Sequence, residues 1–409
     1  MKLKPIINSL LETDLYKFSM GACIYHQFNK DITRWEFKCR NNGVYFTPEM
    51  VQEIKEQIAH FCTLRFTEDE LLWLRGNIRW LSGDYISHLR RWYPRPEQIH
   101  VYGGVSTKEL CGMRITADGE WLDTSMYEIP ILAIVNEVYF AFKHGVGALN
   151  EEFKRRAMEK LCELNCGRYR IGKFSEFGLR RRYSSEMHDW LVGKMAYGFS
   201  SENSFVGTSN VYLAKKHGIK AVGTQAHEYI QVVGQAHHEH NPAYSNHYMM
   251  KYWVREYKTD NGIALTDTIT TDCFLRDFDK TYATLFSGVR HDSGDPIKWG
   301  WKMIDHYKRL GIDCMTKTLL FSDSLDFEKA TKIRDVFKGE IRVAFGIGTY
   351  LSNDTGEEPL NIVMKVVEAN GSPVAKLSDV AGKTMSVDPL YVDYLNRCID
   401  WRLKYERED

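Results

Sequence analysis

No excess of charge of either sign appears in this sequence. Lys plus Arg and Asp plus Glu both number 54, so the formal net charge is zero and nothing draws the chain as a whole to nucleic acid or to an anionic membrane. Any anion it binds must be held by a local cluster. Long apolar runs are also lacking. The best candidate, "IPILAIVNEVYFAF", covers 14 residues and contains Asn136 and Glu137, where a bilayer needs about 20 apolar residues in a row. It reads as a buried helix with Pro130 in its first turn. The N-terminus reaches Glu12, Asp14 and Lys17 before a signal-type apolar region can develop. Cysteine pairing patterns are absent too: nine cysteines are scattered from Cys23 to Cys398 with no C-x-x-C. A reduced, cytoplasmic chain is the expectation.

What is present is enough for a large core. Hydrophobic residues make up 44% and aromatics 13% of 409 residues, which suits one large α/β unit with a smaller one beside it. Residues 1–150 read as an α+β domain. A helix is expected from about Thr13, with Leu15, Phe18, Ala22 and Tyr25 at helical spacing, then a strand over "TRWEFKC". Thr67 with Glu70 forms a capping-box helix start, and a hairpin is expected to turn at Asp118-Gly119. From about residue 170 the text becomes regular. Seven β-type runs, "RIGKFSEF", "NSFVGT", "IKAVGT", "GIALTDT", "LFSGVRHD", "TLLFSD" and "IRVAFGIG", alternate with helical stretches. This argues for a parallel sheet, and about seven such units closing on themselves give an irregular TIM-like α/β barrel over 151–359, one strand short of the usual eight. Segment 360–409 reads as a hairpin turning at Asn370-Gly371 followed by a helix near "LYVDYLNRCIDWRL".

Polar and glycine signatures fall at the C-terminal ends of these strands, where parallel barrels build active sites. Arg180, Arg181 and Arg182 follow the first strand, where at least one guanidinium can meet a phosphate or carboxylate. "GVRHDSGDP" offers Arg290, Asp292 and Asp295, able to hold an anion, ribose hydroxyls and a hydrated divalent cation. "FGIGTYLSND" puts Gly346 and Gly348 where backbone N–H groups can approach a ligand, with Thr349 next, which suits a phosphate monoester at a helix N-terminus. "VGTQAHEYIQ" begins like the zinc-protease motif H-E-x-x-H but has Gln231 where the second histidine is due. Among anion-binding groups, His227 is better suited to act as a nucleophile or proton carrier. The run His237, His238 and His240, with His247 beyond, reads as a polar helix end or loop.

Taken in order, "ETDLYKFSM", "FSEFGLRRRYS", "FVGTSNVYLAKKHGI", "GTQAHE", "VRHDSGDP", "LFSDSLD" and "FGIGTYLSND" resemble the nicotinate phosphoribosyltransferase family over nearly the whole chain. The resemblance implies that nicotinate and phosphoribosyl pyrophosphate give nicotinate mononucleotide and pyrophosphate, the first step of NAD salvage from nicotinate. It implies coupled ATP hydrolysis through a transient phosphohistidine at His227, whose ring Glu228 is expected to hydrogen-bond. Tyr16 and Phe177 are implied to sandwich the pyridine ring, the tyrosine arriving from the neighbouring subunit of a homodimer. Ser209 stands where the related nicotinamide enzymes carry an aspartate, and its hydroxyl is implied to donate to the acid. Asp292 is implied to contact the ribose, and Ser322, Asp323, Gly348 and Thr349 the ribose and 5-phosphate. Arg180 and Arg290 would stabilise the departing pyrophosphate, with Mg2+ carried mainly by the substrate phosphates and not by protein ligands. The return of 360–409 to the first domain is implied in the same way. Two other readings are a nicotinamide or quinolinate phosphoribosyltransferase and, more distant, a sugar-phosphate aldolase barrel. The last needs a catalytic lysine at a strand end, whereas Lys173 and Lys220 stand near strand starts.

Overall fold

A computed structural model describes residues 1–105, 111–199, 203–380, 384 and 386–406. Its strands are β1 (Ile32–Cys39), β2 (Ile99–Val105), β3 (Gly112–Glu120), β4 (Gly172–Glu176), β5 (Asn203–Thr208), β6 (Lys220–Ala221), β7 (Ile263–Leu265), β8 (Gly288–His291), β9 (Thr318–Phe321), β10 (Arg342–Ile347), β11 (Ile362–Ala369) and β12 (Ser372–Pro373). Seven of them form one parallel sheet in the order β6-β5-β4-β10-β9-β8-β7. The chain therefore walks round the barrel in sequence, and β10 closes onto β4 from Phe345↔Phe174 to Ile347↔Glu176. Each β-type run read from the sequence is one of these strands. They are apolar because helices cover them: Ala264, Leu265, Val289, Leu319, Phe321, Phe345 and Ile347 are fully buried.

The barrel stays open between β6 and β7. Those strands have two and three residues, too few to carry a ladder across. The side chain of Gln225 bridges part of the gap, its Oε1 accepting from Leu265 N at 3.4 Å. Helices His227–Gln235 and Ser245–Tyr257 lie between the two strands in sequence. No described helix is long and apolar enough to cross a membrane. The histidine run after the first of these helices is a polar end: His237 pairs with Asp31 at 3.1 Å, and His240 stacks on Tyr248 at 3.6 Å.

The second sheet is antiparallel, in the order β12-β11-β1-β3-β2. β11 pairs with β1 from Thr33↔Ala369 to Cys39↔Ile362, and the turn at Asn370-Gly371 has φ of 50° and 77°, as a tight hairpin requires. The rest of the C-terminal segment goes elsewhere. Helix Pro389–Tyr405 packs Leu395 and Ile399 against Ala243, Ile269 and Cys273, and Arg402 reaches the buried Asp277 at 2.6 Å. The described part of segment 360–409 thus places β11 in the first sheet and its helix against Ala243, Ile269 and Cys273. The expected hairpin at Asp118-Gly119 is corrected. β3 runs on through Glu120, because β1 pairs with it at Arg34↔Asp118 and Thr33↔Gly119, and long-range pairing outweighs the local turn signal. The capping box holds: Thr67 N donates to Glu70 at 2.8 Å and Glu70 N to Thr67 at 3.3 Å.

Candidate active site

A cavity of about 810 Å³ opens at the C-terminal ends of the barrel strands and is walled on the far side by Arg40, Val363 and Lys365 of the antiparallel sheet. Of the candidate site residues it brings together all but Arg182, Gly346 and Asp295. That carboxylate accepts from Ile297 N at 2.8 Å and Lys298 N at 3.1 Å. With Pro296 at the first helical position, Asp295 is a helix cap and not a ligand group.

The three arginines after β4 separate by direction. Arg182 is buried, donates to Glu12 at 2.9 Å and to Ile6 O at 3.2 Å, and belongs to the core. Arg181 donates to Ile362 O and Asn361 Oδ1, both at 3.0 Å, fastening β11 to the barrel. Arg180 lines the cavity and pairs only loosely with Glu128, at 4.0 Å. It is the guanidinium of the three that is available to an anion.

Arg290 is wired into the strand ends. Nε donates to Ser322 Oγ at 2.8 Å, Nη1 to Thr224 Oγ1 at 2.9 Å and Nη2 to Asp292 Oδ1 at 2.9 Å. It ties the loops after β6, β8 and β9 into one wall. Asp292 also meets the imidazole of His227, its Oδ2 lying 3.0 Å from Nε2. Burial alone would raise the Asp292 carboxyl, but Arg290, with Lys376 beside it, holds it well below its usual range.

His227 starts the helix at the open seam. Nδ1 meets the buried Thr268 hydroxyl at 2.9 Å, so Nε2 is the nitrogen that faces the charged end of the cavity. Lys376 Nζ stands 2.8 Å from it and Asp267 Oδ1 3.8 Å. Burial first, and then Lys376, push the imidazole down to about 4 against the pull of Asp267 and Asp292. At neutral pH the ring is uncharged and keeps a lone pair. Glu228 does not bond it. Neighbouring residues on a helix point to different faces, and the Glu228 carboxylate accepts from Lys17 and Ser125. Lys17 also holds Glu128 at 2.9 Å, in a fully buried group behind the site.

Tyr16 reaches the cavity from within the same chain. Leu15 N donates to Ser209 O at 2.9 Å and Val211 N to Thr13 O at 3.1 Å, which stitches residues 13–16 to the loop after β5. Tyr16 and Phe177 line the same cavity. Gly346 has a different task from the one expected: a Cβ there would lie 2.3 Å from Phe177 Cδ2, so its bare backbone makes room for the Phe177 ring and not for a ligand. Gly346→Ala is expected to push the ring into the cavity and raise the KM for the aromatic substrate about tenfold or more, given the cost of ångström-scale misplacement. The KM for the phosphorylated donor should change far less. Steady-state kinetics with each substrate varied in turn checks this.

Sequence reasoning missed Lys376, Lys365, Arg40, Thr268 and Asp267. The last two stand in the strand-end run "TDT" after β7, so that signal was legible. The three cations come from the antiparallel sheet and the segment after it, where no barrel periodicity points.

A barrel with one open seam, its strand ends closing round a neutral buried imidazole and cationic side chains, defines a barrel-type enzyme site suited to a phosphorylated substrate. Comparison narrows the class. Residues 172–401 match the model of the "Nicotinate phosphoribosyltransferase (NAPRTase) family" and residues 11–136 that of its N-terminal domain. The chain is 43% identical over 392 residues to a nicotinate phosphoribosyltransferase of Ralstonia nicotianae, covering 96% of this chain and 98% of that one. It is similar in structure to the nicotinate phosphoribosyltransferase of Porphyromonas gingivalis, with a TM-score of 0.87 and 34% identity over 97% of this chain and all of that one. For the Vibrio cholerae enzyme of the same name the TM-score is 0.89 at 33% identity, over 97% and 94% of the two chains. The chain belongs to the nicotinate phosphoribosyltransferase family.

Proposed function

We propose that the cavity joins nicotinate to phosphoribosyl pyrophosphate, giving nicotinate mononucleotide and pyrophosphate, and that ATP hydrolysis is coupled to this through transient phosphorylation of His227. The observation that carries the coupling is the imidazole itself, buried, neutral at pH 7 and turned by Thr268 so that Nε2 faces Lys376. Its lone pair attacks the terminal phosphorus of ATP, the N–P bond forms as the P–O bond to ADP breaks, and the ring proton stays on Nδ1 against Thr268. Water later cleaves the N–P bond and releases phosphate. The added negative charge faces Lys376 and Arg290, whose present partners Asp267 and Asp292 it would displace, so phosphorylation reorganises the wall that receives the sugar donor.

In the transfer step the pyridine nitrogen attacks the anomeric carbon as the bond to pyrophosphate breaks. The nitrogen carries no proton, so no general base is required. Tyr16 and Phe177 align the ring, and good alignment is worth roughly 7–11 kcal/mol. Arg180 stabilises the departing pyrophosphate, while Arg290 holds Ser322 and Asp292 in place for the ribose; Asp323, Gly348 and Thr349 line the side where a 5-phosphate fits. Mg2+ suits this site as a phosphate-borne ion. His227, Asp267 and Asp292 gather donor atoms within 4.8 Å, but Lys376 and Arg290 already neutralise both carboxylates. When bound, it supplies charge neutralisation on the phosphates.

This reading includes a homodimer whose subunits share their active sites, and the nine free thiols of the chain suit the cytoplasm. Pyrophosphate release measured with nicotinate, nicotinamide and quinolinate as acceptors tests the reading. Nicotinate alone should support rapid turnover. Preference for either other acceptor would overturn it.

A further inference from the structure

The hydroxyl implied to greet the acid is already engaged. Ser209 Oγ donates to Asp14 Oδ1 at 2.6 Å, and the two residues are 3% and 5% exposed. The contact is held from both sides, by the hydrogen bonds that stitch residues 13–15 to Ser209 and Val211 and by the bridge between Asp14 and Asn210. Both side chains line the cavity with Tyr16 and Phe177.

A serine hydroxyl has one hydrogen to give. While Asp14 is ionised, that hydrogen goes to Asp14. Ser209 then turns lone pairs to the cavity, and Asp14 adds a negative charge, which a nicotinate carboxylate would avoid. The charged groups facing Asp14 are Glu176 on β4, Glu128 on helix Glu128–His144 and Arg180 after β4, with the Tyr16 hydroxyl on its own segment. Glu176 is engaged by His188, Gly178 N and Thr208, and Glu128 by Lys17 and Lys365. Neither is placed to exchange a proton with Asp14. Burial above all, with Glu176 and Glu128, raises the Asp14 carboxyl to about 6, against the Ser209 hydrogen bond and Arg180. Protonating it near neutral pH costs little.

The geometry points to Asp14 as a specificity-determining residue that takes up one proton from solvent when nicotinate binds. This rests on the nicotinate reading above. The protonated carboxyl donates to Ser209 Oγ, and the Ser209 hydrogen turns to the nicotinate carboxylate. An O–H bond forms at Asp14, no covalent bond of the substrate changes, and the proton returns to solvent after product leaves. Ionised Asp14 has the opposite preference, since it accepts from the amide N–H of nicotinamide. One carboxyl thus sets acid against amide by its protonation state.

The test is the pH dependence of the KM for nicotinate, with the phosphorylated donor saturating. In the wild type it should be flat below about pH 6 and then rise by up to about tenfold per pH unit, the slope of one coupled proton. Asp14→Asn keeps a group able to donate to Ser209 without titrating, and its KM should stay within about twofold over the same range. Asp14→Ser, also without a titrating group, should be equally flat. A wild-type slope retained in both variants, or a flat wild-type profile, overturns the inference while leaving the substrate reading intact. Absence of turnover with nicotinate by the wild type at every pH overturns both.

Discussion

Arg180→Ala is expected to lower kcat/KM by about 10²–10³-fold, the cost of removing one preorganised group from developing charge. The melting temperature should change little. Of the three consecutive arginines, Arg182 is locked to Glu12 and Arg181 to the start of β11, whereas Arg180 is half-buried at the cavity wall with Glu128 at 4.0 Å. Arg181→Ala should give the opposite pattern, a lower melting temperature with a smaller kinetic loss. Steady-state kinetics and thermal denaturation on the two variants separate the roles. If Arg180→Ala retains wild-type kcat/KM, another cation handles the pyrophosphate.

The second large effect lies behind the site. Lys17 is fully buried between Glu128 and Glu228 and lies 4.9 Å from the Trp35 ring centroid. Lys17→Met leaves Glu228 with Ser125 as its remaining partner, while Glu128 keeps Lys365 at 3.2 Å and the looser Arg180 contact. Breaking such a buried group by removing one partner costs about 3–5 kcal/mol, seen as a fall of roughly 3–6 °C in melting temperature. Burial alone would raise the Glu128 carboxyl, but Lys17, Lys365 and Arg180 hold it down at about 2 against an ordinary value of 4.5. A carboxyl depressed in the folded state adds stability above its unfolded value and loses it as pH falls through the folded one. The gap between wild type and variant should therefore narrow as pH is lowered from about 5 toward 2. Denaturation curves across that range check the sign. A gap that widens on acidification would contradict the assignment of Lys17 as the counter-ion.

Much of this was legible in the sequence, for a physical reason. Barrel strands are covered on both faces, so they read as short apolar runs, and function sits where those runs end; hence "RHDSGDP" and "GTQAHE" located Arg290, Asp292 and His227. Direction was not legible. Sequence placed Glu228 beside His227, but the helix turns it to Lys17, and it placed Asp295 beside Asp292, where Pro296 makes it a cap. Contributions from distant segments were equally hidden. Lys376 follows β12 and Asp14 precedes a helix, and only the closing of the antiparallel sheet and the stitching of residues 13–16 bring them to the strand ends. The hairpin signal at Asp118-Gly119 failed because β1, some 85 residues away, pairs with β3 across it.

The central claim is that His227 couples ATP to the transfer. Terminally labelled ATP should leave acid-labile, base-stable label on wild-type protein and none on His227→Ala, and ATP should stimulate nucleotide formation by the wild type and not by the variant. Equal labelling and equal stimulation of both proteins would contradict it.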